Sequence, residues 1–420
     1  MGSASARRDS DGGWGDERTV RDLRGSQRSI SGRILCAMTG HQVMRFADGL
    51  SQKLATRSRH LCVFLGAGIS CACGLPDVAR LETQIRSDLL PSHRTAFEVQ
   101  LAAGHNLEGA LSRLRRIDAL LGSGTQQLDG LTGAEAADLD REICRRTVAA
   151  LDISQADLTP VLRFATWAGR ADYGLPLEVF TINYDLLLET GLEALGVPYF
   201  DGFVGAMRAR FRTELVEAAA GGTDDWMPSF LVRLWKLHGS VNWAWTSRGA
   251  GTEVVRLGSP VSDDSPAAIY PSDAKYDESR RVPFVVLQDR LRRALYESET
   301  LTLISGYSFG DEHLNEILFD AARRRPRSEM IAFCFSAIPD GLADRALEIY
   351  NLQVVASHEA IIGGVRADWE APEEPLENLW KEGFALHDFA NLAAFLARSS
   401  PTQSETPFGS VNALANPGQT

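Results

Sequence analysis

Six short apolar runs recur along the chain: His60–Leu65, Leu177–Thr181, Val232–Leu237, Thr300–Ser305, Met330–Phe335 and Leu352–Ala356. Each is rich in β-branched, aromatic or other apolar residues and too short for a buried helix, so each predicts a strand covered on both faces. The stretches between them mostly carry apolar residues every three or four positions. Strand signals alternating with helix signals predict an α/β fold built on a doubly wound, Rossmann-like parallel sheet. Helical spacing over Gln42–Thr56 predicts a helix before the first strand. From about Arg80 to Trp167 the pattern is helical almost throughout, without a strand signal, which predicts a large helical insertion. The expected organisation is a flexible leader at 1–40, a Rossmann domain at 41–80 and 168–360, a helical insertion at 81–167, C-terminal helices at 361–398 and a disordered tail at 399–420. Gly249–Pro283, rich in Gly, Ser, Pro and Asp, predicts a long irregular surface segment and a candidate lid.

The first run leads directly into "GAGIS" and then "GLPD". Gly66 and Gly68 allow a tight turn that brings backbone N–H groups against an anion, which makes a nucleotide phosphate the first candidate ligand. A plain strand-to-helix turn fits the same residues. The next glycine is Gly74, so G-x-G-x-x-G is not completed, and no G-x-x-x-x-G-K-[ST] occurs in the chain.

Composition narrows the classes. At 420 residues, 44% hydrophobic and 23% charged, the chain resembles an ordinary globular protein, and no apolar run approaches the ~18 to 20 residues of a bilayer span. Residues 1–33 lack the apolar core of a signal peptide, so a cytoplasmic location without membrane association is expected. The six cysteines include no C-x-x-C pair, in keeping with reduced thiols. Cys71 and Cys73 read as small residues packed under the glycine turn. A net charge of −12 opposes direct nucleic-acid binding, and the basic clusters Arg113–Arg116, Arg290–Arg293 and Arg323–Arg327 read as solvated helix faces.

Ligands of open α/β sheets bind beyond the carboxyl ends of the strands. The residues following the runs are therefore the informative ones: "GAGIS" and "GLPD", then "TINYD" (Thr181–Asp185), "LHGS" (Leu237–Ser240) and "SGYSFGDEH" (Ser305–His313). As a set they resemble the sirtuin superfamily, and specifically its bacterial sirtuin-like NADase branch in anti-phage defence. Gly66, Ala67, Gly68, Ile69, Ser70, Gly74, Pro76 and Asp77 match that family's glycine loop. Asn183 and Asp185 match its T-x-N-x-D motif, His238-Gly239-Ser240 its H-G-S motif, and Gly306 and Ser308 its nucleotide loop. The resemblance implies a sirtuin-like, NAD-binding Rossmann domain. Two departures matter. Deacylating sirtuins carry a four-cysteine zinc ribbon after H-G-S, and here only Cys334 lies downstream; the usual Phe-Arg after G-I-P-D is replaced by Val78-Ala79.

Cleavage of the nicotinamide–ribose bond requires a held leaving group, an oriented nucleophile and a proton acceptor. The Asn183 amide can position a water or ribose hydroxyl without titrating. His238, with an ordinary pKa near ~6.5, suits the base. By resemblance, Asp185 holds the nicotinamide carboxamide, Gly66–Ser70 with Pro76 and Asp77 form the cofactor-binding loop, and Ser308 sits on the far phosphate or ribose. Asp311 and His313 are left between helix capping or packing and ligand contact. The expectation is an NAD+ glycohydrolase that consumes NAD+ as substrate and needs no metal. The resemblance adds an NAD-depleting, abortive-infection role in the cytoplasm, gated by assembly as a homo-oligomer or by a HerA-type translocase ATPase or short Argonaute partner. An NAD-dependent protein deacylase and a non-catalytic NAD or ADP-ribose-binding scaffold subunit are the alternatives.

Overall fold

The computed structural model describes residues 40–104, 106–218, 230–248, 251–261, 267–269, 282–335, 337–374, 376 and 378–398. The expected disordered tail, the expected leader up to residue 39, and much of the expected lid lie outside the described residues.

All six apolar runs form parallel strands of one ten-stranded sheet: Leu61–Leu65, Glu178–Thr181, Val232–Lys236, Leu301–Ser305, Glu329–Phe333 and Leu352–Val355. Counted in chain order they lie 6-5-4-1-2-3, with Tyr199–Phe200 beyond the third. This is the doubly wound order, and its switch point falls between Leu61–Leu65 and Leu301–Ser305. Register brings four strand ends level: Leu65 pairs with both Ser305 and Thr181, and Thr181 pairs with Lys236. Everything that follows these residues emerges along one edge.

Alternation splits each strand between two cores. Leu61, Val63 and Leu65 pack with the helices Val43–Ala55, Thr159–Gly169, Leu187–Ala194 and Phe389–Arg398. Cys62 and Phe64 pack on the other face with the helices Phe284–Leu295, Glu312–Arg324 and Asp340–Glu348. The result is a three-layer α/β/α arrangement.

The helical region after the glycine turn has its own core. Helices Val78–Asp88, Pro91–Gly104, Leu107–Leu121 and Gly133–Ala150 gather Leu81, Ile85, Phe97, Leu111, Leu114, Leu139 and Ile143. That core continues into Tyr184, Val241 and Val255, so the insertion rests on residues beside the strand ends. The helix Thr159–Gly169, expected within the insertion, instead lays Val161, Phe164 and Trp167 on the main sheet, with Phe164 and Phe389 ring centroids 6.0 Å apart.

Three further regions differ from the sequence expectation. Gly251–Leu257, expected to be irregular, is a strand paired with Gly239–Arg248 in a second, antiparallel five-stranded sheet that also contains Phe203–Val204, Arg208–Phe211 and Ala267–Ile269. Residues 361–398, expected as helices, begin instead with a hairpin: Glu359–Ile362 and Val365–Glu370 flank Gly363 and Gly364, whose φ values of +61° and +77° suit a tight primed turn. Phe389–Arg398 is the one α-helix described there. Finally, Arg290, expected on a solvated face, is 6% exposed and ion-paired with the fully buried Glu178, which also accepts from the Trp235 indole. A guanidinium can be buried when a carboxylate shares its desolvation. No helix among the described residues is long and apolar enough to cross a membrane.

Candidate active site

The turn after Leu65 and the loop after Ser305 form one unit at the switch point. Gly66 N–H donates to Ser305 O (3.0 Å), Gly68 N–H donates to Gly306 O (2.9 Å), and Ile69 N–H donates to Gly66 O (3.1 Å). A Cβ on Gly66 would overlap the Gly306 carbonyl, and one on Gly68 would lie 2.5 Å from Gly306 Cα. Glycine is required here because two backbones touch. The Gly68 and Ile69 amides are thus engaged within the protein, while Ala67 opens a short helix and Ile69 is sealed in the core.

Asn183, Asp185 and Ser70 meet just beyond. The chain leaves the strand Glu178–Thr181 through a hydroxyl turn in which Thr181 Oγ1 accepts from Asn183 N–H (3.0 Å). Asn183 Nδ2 then donates to Gly66 O (2.9 Å) and Ser70 Oγ (3.2 Å), and Ser70 Oγ donates to Asp185 Oδ2 (2.6 Å). Asp185 Oδ1 accepts from Leu187 N–H (3.1 Å), fixing the carboxylate at the start of the helix Leu187–Ala194. All three side chains are buried, at 3 to 7% exposure. Asn183 Oδ1 is buried as well, and it has no partner among the described residues. An unmatched buried acceptor of this kind costs about 1–3 kcal/mol, a cost that a donor from outside the chain would relieve.

His238 stands at the end of Val232–Lys236, where Gly239, at φ +93°, turns the chain into the second sheet. Its ring lies between two carboxylates: Nε2 is 3.3 Å from Asp311 Oδ2, and Nδ1 is 3.8 Å from Glu108 Oε1. Burial alone would lower its pKa, but the hydrogen bond to Asp311 and the charges of Glu108 and Asp311 outweigh it and raise the value above 6.5. A neutral imidazole has a single N–H, so two flanking carboxylates favour the imidazolium. Asp311 answers in the opposite sense. Its burial opposes ionisation, yet the bond to His238 and the backbone N–H groups of Leu314 and His313 hold it down at about 2. Its Oδ1 caps the helix Glu312–Arg324 by accepting from the amides of His313 (2.9 Å) and Leu314 (3.1 Å).

The two clusters are joined through Tyr184, which lies between Asn183 and Asp185. Its hydroxyl donates to Glu108 Oε1 (3.1 Å), and its carbonyl accepts from Ser240 Oγ (3.2 Å) and Val241 N–H (2.9 Å). Lys236, also buried, holds this backbone from below by donating to the carbonyls of Tyr184 and Asp185, with its charge met by Glu189 at 2.9 Å. Of the residues singled out in the sequence, Gly66, Gly68, Ser70, Asn183, Asp185 and Gly306 converge directly, and His238 adjoins them.

Pro76 and Asp77 lie farther along. Asp77 caps the helix Val78–Asp88 by accepting from Arg80 N–H (2.7 Å). Ser308 and His313 are exposed, whereas Asp311 both caps and contacts His238. The fully buried Cys73 thiol is pushed up to about 12 by burial and by Asp185 and Asp157, in keeping with a packing role. Glu108 and Lys236 were not anticipated. Glu108 is separated from His238 by the rest of the insertion, the strands Glu178–Thr181 and Val232–Lys236 and the elements between them, with no spacing signal, and Lys236 sits within an apolar run. Among the described residues, no group of three or more His, Cys, Asp or Glu is arranged to hold a metal ion.

No curated protein matches the chain. The family model of the SIR2-like domain matches residues 177–355, which include Asn183, Asp185, His238, Gly306 and Asp311 but not the glycine turn. The turn joins that segment through sheet pairing, and the matched region is similar to the sirtuin-like superfamily of NAD-dependent enzymes.

Proposed function

We propose that the chain is an NAD+ glycohydrolase, cleaving NAD+ to nicotinamide and ADP-ribose. The observation that carries this reading is the unpartnered, buried Asn183 Oδ1 within a buried Asn–Ser–Asp cluster at the switch point, next to a carboxylate-flanked histidine. The substrate brings a nicotinamide–ribose bond that can break without redox chemistry. Asn183 Oδ1 accepts from the attacking water or a ribose hydroxyl, satisfying an oxygen that the protein leaves open. His238 takes the proton, and Asp185 hydrogen-bonds the leaving carboxamide. Gly66–Ser70, with Gly306 and Ser308, borders the phosphates. Hydrolysis is preferred over deacylation because the chain lacks the cysteines of a zinc ribbon after H-G-S.

An unrestrained NAD+ hydrolase would exhaust its own cell, which supports a gated effector used in anti-phage defence, controlled by self-assembly or by a translocase or Argonaute partner. The test is incubation of the purified chain with NAD+, alone and with candidate partners, followed by chromatographic separation. Nicotinamide and ADP-ribose are the expected products. Nicotinamide release only in the presence of an acylated peptide, with transfer of the acyl group, would favour the deacylase.

A further inference from the structure

We propose that Asp311 and Glu108 are positioning residues for His238, and that the helical insertion, through Glu108, governs when the His238 imidazole is free to accept a proton. The inference rests on the hydrolase reading only for its catalytic consequence; the coupling itself is a property of three side chains.

The two carboxylates are anchored differently. Asp311 is tied by its Oδ1 to two backbone amides of its own helix, and the loop that delivers it is stiffened by Asn315 Nδ2 donating to Phe309 O (2.7 Å) and by the Tyr307 hydroxyl, 3.2 Å from Asp311 O. Its Oδ2 therefore holds Nε2 at a fixed place. Glu108 rides on the first turn of the helix Leu107–Leu121, behind the Asn106 cap that accepts from Gly109 N–H (2.8 Å). Its side chain is 43% exposed, against 25% for Asp311 and 8% for His238. Tyr184 is its only other described partner.

The groups facing the ring are thus Glu108 from the insertion and Asp311 from the loop after Leu301–Ser305. Behind them stand the hydroxyls of Tyr184 and Tyr307, and Lys236 is occupied with Glu189 and backbone carbonyls. While both carboxylates are seated they favour the doubly protonated ring, the form that cannot act as a base. Withdrawal of Glu108 leaves Nδ1 without an anion and lets the proton go, while Asp311 keeps the ring in place. Glu108 is the removable member because its side chain is half-exposed and is held only by the 3.8 Å approach to Nδ1 and the Tyr184 hydroxyl, without the backbone amides that fix Asp311.

The test is an NMR titration of the His238 ring in the full chain, for wild type, Glu108→Gln, Asp311→Asn and Glu108→Asp. Glutamine can still accept from Tyr184, and asparagine is as good a helix cap as aspartate, so each change removes chiefly charge. The expected result is a His238 pKa lowered by roughly half a unit or more in Glu108→Gln and in Asp311→Asn, as removal of a nearby opposite charge requires, with Glu108→Asp nearer to wild type. The acid limb of kcat/KM for NAD+ should move down with it. An unchanged His238 pKa in Glu108→Gln would overturn the role of the insertion, and an unchanged value in Asp311→Asn would overturn that of Asp311. If both pKa values fall and no variant or wild-type protein cleaves NAD+ at any pH, the positioning stands and the hydrolase reading fails.

Discussion

Gly68 donates its N–H to the Gly306 carbonyl at 2.9 Å, and a single added carbon on Gly68 would lie 2.5 Å from Gly306 Cα. The two loops flanking the switch point are therefore in backbone contact, and the small residue serves that contact before it serves any ligand. Gly68→Ala is expected to destabilise the chain by about 1–3 kcal/mol, the usual cost of overpacking where the neighbour is backbone. The urea midpoint should fall with an unchanged m-value. A midpoint equal to wild type would show that the loops can part without cost.

The His238–Asp311 pair makes stability depend on pH in a definite direction. His238 has a raised folded pKa, so its contribution is complete below 6.5 and is lost as pH rises through the folded value. Asp311 is depressed from 3.8 to about 2, so its contribution is present above 3.8 and is lost as pH falls through about 2. The stability difference between wild type and Asp311→Asn should therefore be greatest between roughly pH 4 and 6.5 and shrink on either side. Chemical denaturation at several pH values measures it; a difference that grows steadily into the alkaline range would contradict the pairing.

Asn183 should separate binding from turnover, at a structural cost that its motif does not reveal. Its Nδ2 ties Gly66 to Ser70, so Asn183→Ala is expected to lose about 1–3 kcal/mol of stability. ADP-ribose affinity, read by calorimetry, should stay within about tenfold of wild type, or ~1.4 kcal/mol. NAD+ cleavage should drop by on the order of 10²-fold or more. Affinity lost in the same proportion as rate would make Asn183 a binding residue only.

Much of the main sheet was legible because strands buried on both faces read as unbroken apolar runs, and the meeting of Gly66, Ser70, Asn183 and Asp185 because residues that follow such runs emerge along one edge. The second sheet was not. In Gly239–Arg248, tryptophans share the strand with Ser, Asn, Thr and Arg, and its partner Gly251–Leu257 sits in a Gly- and Ser-rich stretch that reads as loop. The hairpin at Gly363-Gly364 did carry its signal, two glycines between β-forming residues, which the helical expectation for 361–398 overrode. The glycine turn showed its shape but not its cause, since the partner that forbids a Cβ is Gly306, brought alongside only by the doubly wound order. Glu108 was invisible for the same reason. A residue's chemistry can be read locally, but a contact between an insertion helix and a strand end depends on how the insertion docks.

The most direct measurement is the time course of NAD+ loss and of nicotinamide and ADP-ribose appearance, under one set of conditions in which wild type turns over, for wild type, His238→Ala and Asn183→Ala. Both buried, Asn183 bonded to the glycine turn and His238 paired with Asp311 beside it, these two side chains should carry the reaction. The expected result is equimolar nicotinamide and ADP-ribose from wild type, and rates lower by on the order of 10²-fold or more in both variants, with folding verified by their thermal transitions. Near-wild-type cleavage by either variant would contradict its catalytic assignment, and near-wild-type cleavage by both would move the chemistry away from this site.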